Sequence, residues 1–277
     1  MGEKLEDWRS SIEREVGLIP SATALSNEQE GLFNVRVSTR LPGFPNGNDI
    51  QFHCFGDDGH VYYCKTDSNG RLIRATEWIA YSLAQHLGLS VADYAILEDN
   101  DGETYFGSRS PKSVVSDQFA LERFMRDASK DEVGHPSSWI GQMLARQWAF
   151  DLFIGNPDRT LQNFILDQDG RVGQIRAIDF ASASLIPLLS GKFPIDDDAT
   201  IRIGRFVRAQ FGVHKAAAFE LLDRIEAVPL STLEEMIAAM PCEWLSRDQA
   251  SEFKKVWANG QRTDRLNQLR LLIEHEW

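Results

Sequence analysis

The side chains best suited to chemistry lie between Gly155 and Phe180. Asp158 and Asn163 stand in a D-x-x-x-x-N frame, and a second acid, Asp179, follows a hairpin pattern. Phosphoryl transfer needs hard oxygen ligands for Mg²⁺ and a carboxylate that orients or deprotonates an attacking hydroxyl. Asp158 reads as the base, with Asn163 and Asp179 as one neutral and one charged metal ligand. The plain alternative is that Asp, Asn and Gly are ordinary turn residues and the frame arises by chance.

The flanking pattern favours the site. Ile140, Met143, Leu144, Trp148 and Leu152 have the spacing of a buried helix over Trp139 to Ile154. Gly155 suits the position just past a helix end, and Pro157 disfavours helix in the residue before it. Asn163 to Leu166 reads as a strand, Asp167 to Gly170 as a turn, and Val172 to Ile178 as a second strand. A hairpin returns its ends to one place. Asp179 therefore comes back beside Asn163, with Asp158 in the loop just before.

Further upstream the pattern is strand-rich. Phe33 to Leu41, Ile50 to Phe55, His60 to Lys65, Val91 to Leu97 and Thr104 to Ser108 read as strands, the last two joined by a turn at Glu98 to Gly102. Between them, Ile79, Leu83 and Leu87 mark a helix over Ile73 to Leu87 that Gly88 stops. Lys65 ends the third strand and Glu77 lies near the opening of that helix. Turned into a cleft, Glu77 would hold Lys65 toward phosphate oxygens; otherwise both are solvated surface residues. Gly43 and Gly47 either bring backbone N–H groups to a phosphate or belong to a plain hairpin loop. Arg109 to Asp117, short and polar with Pro111, reads as a linker from the strand-rich half to a helix-rich half. A cleft there would offer backbone groups to a purine edge. Gln118 to Arg126, Ala216 to Ile225, Leu230 to Met240, a helix opened by the Ser246 capping box, and Asp264 to Glu276 read as helices. Asp196 to Asp198 reads as an acidic helix start rather than a metal site.

Composition sets outer limits. The chain has 277 residues, enough for two lobes around a cleft, with 43% hydrophobic and 25% charged residues. A net charge of −12 argues against sequence-independent nucleic-acid binding, which needs a basic face. The six histidines show no metal-ligand spacing, and three cysteines without a C-x-x-C spacing support neither a disulfide framework nor zinc. Cys54 and Cys64 lie on paired strands in registers that do not oppose them, so free thiols are expected. Lys4 to Val16 reads as an amphipathic lead-in helix with no apolar leader, and no run is long enough to span a bilayer. The expectation is a cytoplasmic protein without membrane attachment.

The segments IGNPDRTLQNFIL and AIDFASA, supported by VYYCK and the helix TEWIAYSLAQHLGLSV, resemble the HipA-like serine/threonine kinases. The likeness is to short forms lacking the extra amino-terminal subdomain, and more distantly to phosphatidylinositol 3/4-kinases. It covers roughly residue 33 onward. It implies an α+β, two-lobed protein-kinase-like fold: a lead-in over residues 1–32, a β-rich N-lobe over 33–110 and a mainly helical C-lobe over 111–277. It also implies ATP and Mg²⁺ as cofactors, with Lys65 on the α- and β-phosphates and Glu77 holding it. Asp158 would be the catalytic base, with Asn163 and Asp179 on the metal. The hinge would fall near Phe106 to Arg109, including Ser108, and the phosphate loop near Gly43 to Asn48. Partners implied are a protein bearing a Ser or Thr hydroxyl and an antitoxin-like protein. The chain departs from the family pattern at Thr160, where relatives often carry His. Two other functions fit parts of the pattern. One is a small-molecule kinase of aminoglycoside or choline type, although Asn156-Pro157-Asp158 replaces the usual His-Gly-Asp. The other is a nucleotide-binding pseudokinase, for which Thr160 is the main argument.

Overall fold

Alternating strands at the amino-terminal end close on themselves. The computed structural model describes residues 34–42, 49–111, 114–115, 118–130, 137–167, 173–185 and 198–276. Five strands, β1 (Val35–Leu41), β2 (Ile50–Gly56), β3 (Val61–Lys65), β4 (Tyr94–Glu98) and β5 (Thr104–Ser110), form a closed barrel in the order β1-β2-β3-β5-β4. All neighbours are antiparallel except β1 and β4, whose parallel pairing closes the ring through Val35 and Leu97. The barrel has its own small core of Cys54, Tyr62, Cys64, Leu97 and Tyr105. Cys54 pairs with Tyr62, and Phe52 with Cys64, so the two cysteines are diagonal rather than opposite. Both are free, as expected from the register, although their sulfur atoms approach to 3.4 Å.

A helix between β3 and β4, α1 (Ile73–His86), packs on β5 through Tyr81, whose ring lies 5.1 Å from that of Phe106. Helices then dominate: α2 (Gln118–Ala128), α3 (Trp139–Phe153), α4 (Ala199–Phe211), α5 (Lys215–Ala227), α6 (Leu230–Ala238), α7 (Arg247–Ala258) and α8 (Gly260–Glu276). The central one is α3, which is buried on nearly every side, in keeping with its apolar sequence. It ends at Gly155, whose φ of +64° is the left-handed conformation that glycine adopts without a Cβ clash. Arg265 on α8 donates to the carbonyls of Leu152 and Phe153, each at 2.7 Å, satisfying groups that the helix end leaves unpaired. On another side α4 approaches closely because Gly204 faces Trp148. A Cβ there would fall 2.4 Å from the indole ring.

A three-stranded sheet lies against this helical part, made of β6 (Val114–Val115), β7 (Phe164–Asp167) and β8 (Gln174–Ala177). Its first strand corrects the reading of Arg109 to Asp117 as a plain linker: β5 runs on to Ser110, and Val114 and Val115 pair with β7. Two residues are too few to show a strand's alternation. The two halves are stitched by backbone bonds from the segment after α1, with Ala92 N–H donating to Ala177 at 3.1 Å and Ala177 N–H donating to Ser90 at 2.8 Å. The lead-in helix, the loop bearing Gly43 and Gly47, and Asp196 and Asp197 lie outside the described residues; Asp198 immediately precedes α4, in extended conformation. Among the described residues no helix is long and apolar enough to cross a membrane.

Candidate active site

Lys65 is the last residue of β3, and its side chain is only 6% exposed. An ammonium placed there needs paired acceptors, because burial alone strongly disfavours its charged form. Two carboxylates supply them. Glu77, fully buried on α1, accepts a short hydrogen bond from Nζ through Oε1. Asp179, just past β8, accepts another through Oδ1 at 2.7 Å. Burial would lower the Lys65 pKa, but the two acids outweigh it and the net direction is up. Burial pushes Glu77 up to about 6 against the opposing pull of Lys65. Asp179 moves the other way: its partial burial is outweighed by the Lys65 ammonium, which holds its carboxyl below the usual aspartate range. Glu77 also accepts the Phe180 N–H through Oε2 at 3.1 Å, so one buried carboxylate ties α1 to both Lys65 and the residue after Asp179. Asp179 has a φ of 61°, a left-handed conformation that Asp tolerates better than most residues.

The loop from Gly155 to Asn163 is organised by a group that sequence reasoning missed. Arg159, 1% exposed, makes a two-pronged contact with Asp151 of α3: Nε to Oδ2 at 2.8 Å and Nη2 to Oδ1 at 2.9 Å. Its Nη1 donates to the carbonyls of Asn163, at 2.9 Å, and Ile178, at 2.5 Å. The guanidinium also lies over the rings of Phe180 and Phe164, 4.7 and 5.4 Å from their centroids. Burial alone would lower its pKa, and Asp151 reverses that direction. Asp151 further accepts from Asn156 at 2.8 Å and Gln147 at 3.1 Å. Thr200 on α4 accepts the Arg159 N–H at 3.1 Å and donates to the Asn156 carbonyl at 2.6 Å. The loop is thus bolted to two helices and to both hairpin strands. Asp151 and Arg159 gave one faint signal: an acid near the end of a mostly apolar helix and a base in the loop that follows, eight positions apart.

On this frame Asp158 is exposed, and its Oδ2 accepts a hydrogen bond from Ser182 at 2.8 Å. Asn163 ends a short 3₁₀ turn, and its Oδ1 accepts from both the N–H and the hydroxyl of Thr160, at 2.9 and 2.8 Å. The hairpin closes as the spacing predicts, with Ile178 N–H donating to the Asn163 carbonyl at 2.9 Å.

A cleft of about 470 Å³ opens beside Lys65 and Asp179, in the size range of small-molecule sites. Its walls are largely apolar, with Ile50, Leu161, Phe164 and Ile178 among them, and its edge is Ser108 to Pro111. Ser108 lines it, its hydroxyl 3.2 Å from that of Tyr81. Phe106 does not. Its side chain is fully buried against Tyr81 and Tyr94, and its backbone is paired with Lys65 on one side and Ile96 on the other. Phe106, expected at the hinge, is therefore set back from the cleft, and Ser108 to Pro111 border it instead. The donor set fits a magnesium ion held mostly by water and phosphate oxygens. Among the described residues no partner reaches Asp179 Oδ2. Asn163 Oδ1 already uses both lone pairs on Thr160. No cluster of three His, Cys, Asp or Glu side chains is arranged for a metal among the described residues.

A profile of the HipA-like kinases matches residues 41–270. The chain belongs to the HipA-like kinase family. It is a phosphotransferase with the two-lobed α+β architecture of the protein-kinase-like enzymes. Among solved structures it is similar to the Helicobacter pylori proinflammatory kinase CtkA, at 14% identity and a TM-score of 0.57 over 86% of this chain and 96% of that one. The HipA of Shewanella oneidensis, solved with HipB and operator DNA, matches at 16% identity and 0.46 over 95% and 72%. A Golgi casein kinase with Mn and ADP bound matches at 11% and 0.40 over 86% and 72%. No curated protein sequence matches this HipA-like kinase.

Proposed function

We propose that the chain is an ATP- and Mg²⁺-dependent protein serine/threonine kinase. One observation carries this reading: Lys65, buried beside the cleft, is gripped by Glu77 from α1 and by Asp179 from the hairpin. Three elements converge there on one cation, where the phosphates of a nucleotide seated in the cleft would lie. Lys65 meets the α- and β-phosphate oxygens, and Glu77 keeps its ammonium from turning away. The apolar walls take the base, and Ser108 to Pro111 border its edge. A Mg²⁺ ion would be held by Asp179 and Asn163 and would supply positive charge that offsets the phosphates. Asp179 would anchor it through the free Oδ2, and Asn163 Oδ1 would be available only with one of its Thr160 hydrogen bonds broken. Asp158 orients the acceptor hydroxyl and takes its proton.

The acceptor, a Ser or Thr hydroxyl of another protein, is inferred from the family. So is a partner of the antitoxin kind. Phosphate transfer to a generic protein substrate tests the base. Asp158→Asn is expected to lower the rate about 10²–10⁴-fold. Its exposed side chain makes the change nearly silent in stability. An unchanged rate would overturn the assignment.

A further inference from the structure

We infer that Cys54 and Cys64 form a dithiol that peroxide oxidises to a disulfide, and that the bond weakens the hold of Lys65 on nucleotide. The oxidation stands by itself; its effect on nucleotide rests on the proposed kinase reading. The two thiols come from β2 and β3 and share the barrel core with Tyr62, Leu97 and Tyr105. Their sulfurs are 3.4 Å apart and hydrogen-bonded. The pair is unequal. Cys64 donates to Cys54 and holds the Cys54 thiol below its usual pKa against the effect of burial. Arg40, its neighbour on β1, acts in the same direction, and Asp58 opposes it. The same hydrogen bond, with burial, pushes Cys64 up. A thiolate near a guanidinium, with a protonated thiol in contact, suits attack on an oxidant and then closure onto the second sulfur.

Closure reaches the cleft because Lys65 is the residue after Cys64. Cys54 pairs with Tyr62 and Phe52 with Cys64, so the cysteines are diagonal neighbours. Such neighbours lie roughly 7–8 Å apart, just beyond the usual reach of a disulfide, so bonding must shift the backbone. The barrel has little slack to absorb that shift. Gly107 pairs with Cys64 on β5, and a Cβ there would fall 1.8 Å from Leu97 and 3.1 Å from Tyr62. The end of β3 moves instead, and Lys65 leaves the position that Glu77 and Asp179 fix.

The step balances with peroxide as the oxidant. The Cys54 thiolate attacks one peroxide oxygen, the O–O bond breaks, and hydroxide leaves and is protonated to water. The Cys64 sulfur then attacks the sulfenic acid on Cys54, the S–O bond breaks, and a second water leaves with the Cys64 proton. The two thiols give up two electrons and two protons, and one peroxide becomes two waters. Both sulfurs are fully buried, so a water-sized oxidant reaches them through local opening sooner than a bulky one. A small dithiol reverses the bond by exchange.

The test is peptide mapping of the purified full chain after treatment with hydrogen peroxide and alkylation under denaturing conditions. A Cys54–Cys64 link with the loss of two hydrogens is expected, and dithiothreitol restores both thiols. Cys242→Ser, which removes the exposed cysteine, keeps the link, and Cys54→Ser loses it. Thermal stabilisation by ATP and Mg²⁺ is measured on reduced, oxidised and re-reduced samples. Oxidation is expected to raise the apparent Kd about 5–150-fold, and reduction to restore it. If Cys54 and Cys64 both alkylate after a dose that oxidises Cys242, the inference is overturned; a stable sulfinic acid on Cys54 overturns it too. A link that leaves the Kd unchanged overturns the coupling to Lys65. A link in a chain that ATP never stabilises, even when reduced, overturns the kinase reading and the coupling with it, and leaves the dithiol standing.

Discussion

Two buried cations flank the hairpin end, and they are satisfied to different degrees. Arg159 is sealed: its partner Asp151 is fully buried, two further carbonyls accept from it, and two aromatic rings cover its faces. Lys65 is nearly as buried, but Asp179, one of its two acids, is 41% exposed and borders the cleft. A sealed cluster holds a shape. An open one can exchange part of its contacts for a ligand's. The difference separates the residues that fix the loop from those that would handle phosphate.

Breaking the sealed cluster should have the larger effect on stability. Asp151→Asn keeps the shape but leaves the Arg159 charge unpaired in the core, at a cost of about 3–5 kcal/mol. Urea denaturation measures it; a loss under about 1 kcal/mol would mean the guanidinium is not the lock described here. Lys65→Met should cost less, about 1–3 kcal/mol, while removing nucleotide-dependent stabilisation altogether. The reason is that Glu77, already pushed up to about 6, can take a proton in place of the lost ammonium. The sign follows. Without Lys65 the folded-state pKa of Glu77 rises further above its unfolded value. Its contribution is then full at acid pH and lost as pH rises through the folded pKa. Melting curves should show a deficit that grows from acid to alkaline pH; a pH-independent deficit would contradict this. The smallest expected effect is at Thr160. Thr160→Val removes one of two hydrogen bonds on Asn163 Oδ1, at about 0.5–1.5 kcal/mol. It also frees a lone pair, so the Mg²⁺ concentration needed for nucleotide stabilisation should fall. A requirement that rises instead would show that Thr160 positions Asn163 rather than competing for it.

The open cluster was legible in sequence because its members sit at breaks in pattern. Lys65 ends a strand, Glu77 opens a helix stripe, and Asp158, Asn163 and Asp179 bracket a hairpin whose closure forces them together. The sealed cluster was not legible. Asp151 and Arg159 are joined across a helix end, and Thr200 reaches them from a segment about forty residues further on, a tertiary contact with no periodic trace. Phe106 and Ser108 show a related limit. Alternation puts both on one face of β5, but only the closed barrel and α1 reveal that Phe106 is walled off by Tyr81 while Ser108 meets the cleft. The helices were visible wherever an apolar stripe or a capping box marked them, as at Ser246, where both reciprocal bonds form. The short strand β6 was not, because two residues carry no period.

Thermal stabilisation by ATP, with and without Mg²⁺, in wild type and Asp179→Ala, decides whether the open cluster handles metal and phosphate. A nucleotide at about a hundredfold excess over its Kd should add about 2.7 kcal/mol to the folded state. A Mg²⁺-dependent rise in Tm is expected in the wild type and is lost in Asp179→Ala. An equal rise in both proteins, or none in either, would contradict the assignment of the open cluster to metal and phosphate.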